Sequence, residues 1–419
     1  MILNKKVIIY ISLIFSLLVG YYFKEDPAGG GRIDFEVLFP LAQKLIIDFK
    51  SGLTLYLSNS FSLIHSPVFT LIVSSLLKFL DSLLVLNIFY ILFSSSLPYF
   101  FFLILKNKFN LDNNYIFYIS VIIFISPYFR SSGIWLLGDN LALIFFSLSV
   151  LFYINTFKDK DKIINYFLCL LFLILCSYVR YYYSLYAIFF LINFYQSMKK
   201  IDFIFLLFSA FLLSLPALFY LFYVIVNYNF LGSLNNFGSI NIYGNILIIF
   251  SIIIFYLVPV IISEIFKIIS YIKKNKLYFS IIFLFILSAY LIDKNSYIDL
   301  IFFSPRGGGL FVKFFNLFNL DLKLFMSLIA FLSFIVLDYL FQGNKLKNYS
   351  LLVILIFSLP LVTLYQKYLD PLIYFIIFGL VKSDILYQIL KNQKMKLSFF
   401  YIYFFSFYLL SLIYQLKMV

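Results

Sequence analysis

The sequence predicts an all-α, polytopic membrane protein. Hydrophobic residues make up 64% of the 419-residue chain and charged residues only 12%, whereas soluble domains carry about 25% charged residues. Apolar runs long enough for a helix to cross a bilayer core of about 30 Å follow one another through most of the chain. A membrane β-barrel would instead show alternating segments of about ten residues. The continuous runs therefore favour helices.

The N-terminal apolar run opens the membrane domain. It covers 7–23, follows Lys5 and Lys6, and lacks a small-residue cleavage site. We interpret it as a retained first helix, because a signal peptide has a shorter core and such a site. The two lysines are expected on the inner side of the membrane. The segment 24–81 is therefore predicted to be the first external loop.

This first external loop is predicted to contain helices that lie at the membrane surface. Helical spacing of apolar and polar residues favours an interfacial helix at 37–49. The apolar segment 68–80 has 13 residues, too few to span, and counting it as a span would place Lys106 and Lys108 outside. If it stays external, the next run, 83–105, returns inward.

The later apolar runs continue this alternation. With 7–23 and 83–105 they give about 13 spans, the N-terminus inside, the C-terminus outside and one transmembrane domain over 1–419. The inner loops between them are short and basic, and the outer loops hold amides, glycines and single charges, as the positive-inside rule expects. The later runs are 115–128, 135–155, 163–179, 182–196, 203–226, 245–266, 278–292, 325–341, 349–364, 372–387 and 397–415.

Composition also limits the partners. The formal net charge of +14 is not concentrated in a lysine-rich domain outside the membrane, so it suits anionic lipid headgroups and not nucleic acid. Cys169 and Cys176 lie seven positions apart on one predicted helix, about 10.5 Å along it, too far to bridge, and are predicted to be inert core thiols. The chain's one histidine cannot build a histidine-rich zinc site. A divalent cation held by carboxylates stays open, and we expect no other cofactor.

Candidate chemistry begins in the first external loop. Glycines at 29–31 give a flexible segment directly before Asp34 and Glu36. These carboxylates either solvate the loop or are delivered to a site at the membrane surface. His65 precedes Ser66 and Pro67, and a proline suits the first turn of the helix that follows. A lone histidine there either sits satisfied at the interface or supports such a site.

The four arginines all fall in predicted outer loops, against the positive-inside trend. Arginine's planar fork suits phosphate oxygens, and Arg306 precedes three glycines whose backbone amides permit a close approach. Snorkelling to lipid headgroups is the alternative for Arg130, Arg180 and Arg306 alike. Asp139, at the start of a predicted span, is a candidate site acid and a candidate helix N-cap, and both roles can hold together.

The order of these motifs resembles the start of GT-C class membrane glycosyltransferases, which include bacterial aminoarabinose transferases and protein O-mannosyltransferases. Asp34 follows helix 1, and His65-Ser66-Pro67 then leads into a short apolar helix. The family carries His-Pro-Pro or Lys-Pro-Pro there, so a serine replaces its first proline. The similarity continues through 126–129, 138–146 and 177–190, and returns faintly at 366–375.

The resemblance implies an inverting transfer of a sugar from a polyprenyl phosphate or pyrophosphate to a hydroxyl of a glycan, lipid or protein. It implies a periplasmic or luminal site, and we expect the bacterial inner membrane more than the endoplasmic reticulum. Asp34 would be the catalytic base that takes the hydroxyl proton. Supporting residues would be Glu36, His65 and Asp139. The donor phosphate would be bound by Arg130, Arg180, Arg306, Lys313 and Lys367.

Two other classes of protein stay open. A lipid-linked-oligosaccharide flippase or transporter would place charges near the bilayer midplane, whereas the middle of most predicted spans is uncharged. An O-antigen-type polymerase or ligase would centre on a large late outer loop. The early acidic loop favours the glycosyltransferase, and a main cavity around 295–320 would favour the polymerase or ligase.

Overall fold

The structure is a computed structural model that describes residues 5–58, 65–158, 163–228, 242–292, 308–318, 320–359 and 364–416. Of these residues 86% are helical, and no strand occurs among them. The predicted all-α class is confirmed. The long apolar helices are compatible with a multi-pass integral membrane protein.

Seven helices in the described ranges are long and apolar enough to cross a bilayer, and two bent helix pairs raise the number to nine. The predicted number of about 13 is therefore not confirmed. Three further apolar helices are shorter than 18 residues. One of them, Val68–Leu80, was predicted not to span, and its bounds agree with the prediction.

The first of two compact units comprises Met1–Gly238 and Phe404–Val419. Short 3-10 turns follow its seventh and tenth helices, at Val121–Ile125 and Tyr181–Leu185. Its helices before the second unit are α1 Lys5–Tyr22, α2 Gly31–Ile47, α3 Phe49–Ser58, α4 Val68–Leu80, α5 Leu83–Ser94, α6 Ser96–Lys108, α7 Asn113–Ser120, α8 Pro127–Ile134, α9 Gly138–Lys158, α10 Ile163–Val179, α11 Tyr186–Tyr195 and α12 Lys200–Asn227.

The second unit comprises Ser239–Tyr403. Short 3-10 turns at Ile262–Glu264 and Gln366–Tyr368, one α-helical turn at Leu372–Tyr374 and a π-helix at Phe375–Leu380 connect its helices. The last helix starts in this unit and ends in the first. The helices are α13 Ile242–Ile261, α14 Ile265–Lys274, α15 Lys276–Ile292, α16 Gly309–Leu317, α17 Leu322–Leu340, α18 Lys345–Ser358, α19 Asp384–Lys391 and α20 Leu397–Leu416.

Several predicted spans are interrupted by local capping. The predicted span 115–128 bends by 62° before α8, where Ser126 accepts the Phe129 N–H and a proline follows it. The predicted span 372–387 bends by 99° before α19, where the Ser383 side chain caps the new helix. The predicted span 182–196 begins with a 3-10 turn, which leaves α11 only ten residues.

α9 and α10 form the packed centre of the first unit. The Ser149 hydroxyl donates to the Cys169 carbonyl at 2.8 Å, and the Cys176 thiol donates to the Ala142 carbonyl at 3.0 Å. Small polar groups of this kind bond across helices where water is absent. Both cysteines are buried and unbridged, as predicted.

The helices of the segment predicted to be the first external loop pack on one another and on α12. α2 and α3 approach so closely at Gly52 that a Cβ there would lie 2.7 Å from the Leu45 nitrogen. Leu41 of α2 and Tyr56 of α3 share a buried cluster with Val224 of α12. These contacts make the loop a structured part of the first unit.

Candidate functional site

Charged groups collect at one end of the first unit, where α1 and α10 end and α9 begins. A Cβ at Gly138, the first residue of α9, would lie 3.2 Å from the Val179 side chain and 3.1 Å from Phe69 of α4. The Trp135 indole donates to the Glu25 carbonyl, just after α1, at 2.9 Å. These contacts bring the ends of α1, α8 and α10 and the starts of α4 and α9 into one region.

Arg130 forms a buried, two-pronged ion pair with Glu25. Nε lies 2.6 Å from Oε1 and Nη2 lies 2.7 Å from Oε2. Nη1 donates to Ser16 Oγ and the Phe124 carbonyl, and Nη2 also donates to the Ser16 carbonyl. The centroid of the Tyr408 ring lies 5.2 Å from Arg130 Cζ. Because a guanidinium has five N–H groups, Arg130 has all of them bonded within the chain.

Asp26 fixes the start of α2. Its Oδ1 accepts from the Gly29 and Gly31 amides at 3.2 and 3.3 Å and from Ser131 Oγ at 2.9 Å, and its Oδ2 accepts from the Arg32 amide at 3.1 Å. A carboxylate in this place satisfies amides that a helix start leaves unbonded. Consequently α2 begins at Gly31, six residues before the predicted interfacial helix.

Sequence reasoning missed both Glu25 and Asp26. The sequence does carry a signal for them, because two acids follow the first apolar run directly in a chain with few charges. Their partners on α8 lie 105 positions away in the chain. That distance explains why no local pattern predicts the pairing.

Asp34 and Glu36 both lie in α2, outside the flexible segment predicted for the glycines. Asp34 is half-buried in the first turn, and its amide donates to the Gly30 carbonyl at 3.0 Å. Glu36 is exposed and accepts from Arg32 at 2.7 Å. Two helical positions are about 200° apart around the axis, so the two carboxylates leave α2 on different sides.

Asp139, Arg180 and His65 come together from three distant segments. Arg180 Nε lies 2.8 Å from Asp139 Oδ1, and Nη2 lies 3.0 Å from Oδ2. Nη1 lies 3.4 Å from His65 Nδ1. Asp139 lies in the first turn of α9, after Gly138, so its main role is to pair with Arg180 and not to cap the helix.

Hydrogen bonds hold the motif that contains His65 on both sides. The Tyr56 hydroxyl of α3 donates to the His65 carbonyl at 3.3 Å. Ser66 Oγ donates to the Tyr178 carbonyl at the end of α10 and accepts the Val68 N–H at 3.3 Å. The Ser66 side chain therefore makes two bonds that a proline at this position could not make.

In the second unit, a glycine turn packs on the segment that contains Gln366. Gly308 and Gly309 have positive φ angles of 82° and 80°. The Gly308 amide donates to the Leu364 carbonyl at 2.9 Å, and the Leu310 amide donates to Gln366 Oε1 at 3.1 Å. These bonds hold the start of α16 beside the residues that precede α19.

The predicted phosphate ligands of the second unit are only partly described. Arg306 lies outside the described residues. Lys313 is half-buried on α16, and burial lowers the pKa of its ammonium group. Lys367 lies near the rings of Tyr365 and Tyr368, at 5.6 and 5.7 Å.

The second unit also contains two buried carboxylates that sequence reasoning did not single out. Asp338 accepts from Lys345 at 2.8 Å and from the Tyr271 hydroxyl at 2.6 Å. Glu264 pairs with Lys267 and Lys394, each at 2.7 Å. The lysines belong to the basic loops predicted to face inward, so these pairs fasten those loops to the helices.

Neither a metal cluster in the described residues nor a known relative identifies the site. In the part of the chain that the structure describes, no group of three or more histidine, cysteine or acidic residues has the arrangement to hold a metal ion. Comparisons with models of known protein families, with curated proteins and with solved structures found no match to this chain. The GT-C similarity therefore rests on the sequence motifs alone.

Proposed function

We propose that this protein is a GT-C class glycosyltransferase that uses a polyprenyl-phosphate or polyprenyl-pyrophosphate sugar on the external face of a membrane. The observation that carries the proposal is the convergence of His65, Asp139 and Arg180. These residues come from three of the motifs in which the sequence resembles that class. Asp34 lies in the first turn of α2, and the bond from Ser131 to Asp26 fixes the start of that helix on α8.

Asp34 has the role of general base in this proposal. An acceptor hydroxyl is a weak nucleophile, so a carboxylate removes its proton as the oxygen attacks the sugar C1. The bond between C1 and the donor phosphate oxygen breaks at the same time, and the electron pair leaves with the phosphate.

Arg180 has the role of stabilising the leaving phosphate. Negative charge develops there in the transition state, and a fixed cationic donor stabilises it best. The two bonds to Asp139 fix the plane of the Arg180 guanidinium. We assign Arg130 a structural role instead, because its N–H groups are all used within the chain. Arg306, Lys313 and Lys367 stay predicted phosphate ligands, and Glu36 stays a predicted support.

The direct test is transfer by Asp34→Asn. The variant is expected to insert and fold normally, and to lose transfer from the polyprenyl-linked donor. Asp48→Asn is the matched control, because Asp48 is an exposed aspartate at the other end of α2. Trp135 is the chain's one tryptophan and contacts the start of α2, so its emission checks folding there. Normal transfer by Asp34→Asn would refute the proposal.

The donor is identified from cells that lack the protein. The proposal expects a polyprenyl-linked sugar to accumulate, together with an acceptor that lacks that sugar. Accumulation of complete lipid-linked oligosaccharide units would instead favour the flippase or the polymerase and ligase classes. Lipid extraction with mass spectrometry separates these outcomes.

A further inference from the structure

α12 has a break in its backbone bonding near its middle. Pro216 lies inside this 28-residue helix and has no N–H to donate to the Leu212 carbonyl four residues earlier. Only Leu206 and Val224 of the helix are buried. In an apolar environment, neighbouring groups must satisfy backbone atoms that such a break frees. The middle of α12 therefore depends on few contacts.

Tyr178 of α10 supplies one of these contacts. Its hydroxyl donates to the Leu213 carbonyl at 2.5 Å, which is the carbonyl next to the one that Pro216 leaves unbonded. The backbone amide of Ala217 also interacts with this hydroxyl. A side chain that enters the bonding ladder of a helix at a proline is a known cause of local bending. The conformation of α12 at the break is thus linked to Tyr178.

Tyr178 is also linked to the candidate site. Its carbonyl accepts the Ser66 hydroxyl, and Arg180 follows it by two positions. The Arg180 amide donates to the Cys176 carbonyl at 2.9 Å, so the end of α10 holds the backbone of this arginine. One tyrosine therefore joins the motif around His65, the backbone that carries Arg180 and the proline break.

We propose that Ser66 and Tyr178 are positioning residues for Arg180, and that they make its position depend on the conformation of α12 at Pro216. We call Ser66, Tyr178 and the Leu213 carbonyl the Tyr178 latch.

When the middle of α12 moves outward, the bond to Leu213 breaks and the end of α10 is released. Arg180 then loses its alignment with Asp139. By linkage, an anion that binds Arg180 also favours the conformation of α12 in which Tyr178 bonds to the Leu213 carbonyl. Only the role of Arg180 in transfer rests on the proposed function.

The test is hydrogen exchange of the full chain in lipid nanodiscs, followed by mass spectrometry. Tyr178→Phe is expected to speed exchange about fivefold in peptides that cover 213–220, the effect of losing one hydrogen bond, and to speed it in 180–185. Tyr181→Phe is the matched control, because Tyr181 lies beside Arg180 and no hydrogen bond to α12 occurs for it among the described residues. Ser66→Ala is expected to speed exchange in both regions, and Ser66→Thr to restore it.

A second set of variants separates the latch from general destabilisation. Pro216→Ala restores the missing N–H, so the middle of α12 depends less on the hydrogen bond from Tyr178. In the Pro216→Ala background, Tyr178→Phe should then change exchange in 213–220 much less than it does in the chain that keeps Pro216. The effects of the two substitutions would therefore be non-additive. Equal effects in both backgrounds would overturn the proposal. So would an effect of Ser66→Ala that is confined to the residues around His65.

The latch and the proposed function fail in different experiments. Exchange does not depend on turnover, so the absence of the expected changes refutes the latch whatever the protein catalyses. Normal transfer by Asp34→Asn refutes the proposed function and leaves the exchange result standing. Where transfer is measured, Tyr178→Phe should raise KM for the polyprenyl-linked donor more than it lowers kcat, with rescue by a raised donor concentration.

Discussion

The ion pair between Glu25 and Arg130 is predicted to be the most sensitive polar contact of the first unit. The two side chains are only 10% and 7% exposed. Glu25→Gln leaves the Arg130 charge buried without a counter-charge, and breaking a buried pair in this way costs about 3–5 kcal/mol. Gly20→Ala should act on the same pair by crowding, because its Cβ would lie 2.4 Å from Glu25 Oε2.

The free energy of unfolding in mixed detergent micelles measures this loss. Glu36→Gln is the matched control, because Glu36 also pairs with an arginine but both side chains are more than half exposed. It should lose far less stability, since water screens an exposed pair. Replacing Glu25 and Arg130 together with methionine should cost less than Glu25→Gln alone. If Glu25→Gln and Glu36→Gln were equally stable, the structural role given to Arg130 would be wrong.

Three further predictions concern other groups. Asp26→Ala should lower the free energy of unfolding by about 1 kcal/mol, as loss of a helix cap does. It should also shift the emission of Trp135, which packs on the start of α2. An unchanged emission would contradict this link. Cys169 and Cys176 are fully buried, so a maleimide should label them only after unfolding, as a mass increase would show. Because burial lowers the pKa of Lys313 below its ordinary 10.5, the unfolded chain binds more protons between the two values. The free energy of unfolding should therefore rise with pH in that window, and Lys313→Met should remove that part of the slope.

Local chemistry explains what could be predicted from the sequence. The apolar run Val68–Leu80 is bounded by Pro67 before it and by Asp81, whose positive φ of 49° ends the helix. A run of this kind carries its own start and stop, so both bounds were predictable. The thiols of the buried helix α10 were predictable for the same reason, because an apolar run predicts burial.

Contacts between distant residues explain what the sequence did not predict. α2 starts early because Asp26 accepts its first amides while Ser131, from a distant segment, holds the same carboxylate. Arg130 and Arg180 look alike in sequence, since each is a single arginine near the end of an apolar run. Their difference comes from their partners, and no local pattern around either arginine shows that Arg130 pairs with Glu25 and Arg180 with Asp139.

The partners of these two arginines decide which of them suits a phosphate. Arg130 donates only to groups of the chain, and those in and just after α1 cannot leave without unfolding the end of that helix. Hydrogen bonds to Asp139 fix the plane of the Arg180 guanidinium, and its Nη1 faces the ring of His65. Since arginine can only donate, His65 Nδ1 must accept in that contact. A phosphate oxygen carries negative charge and the neutral imidazole does not, so the phosphate attracts the guanidinium more strongly. A donor phosphate can therefore replace the imidazole while Asp139 holds the guanidinium in place. Under the proposed function, His65 therefore occupies the phosphate position until the donor binds.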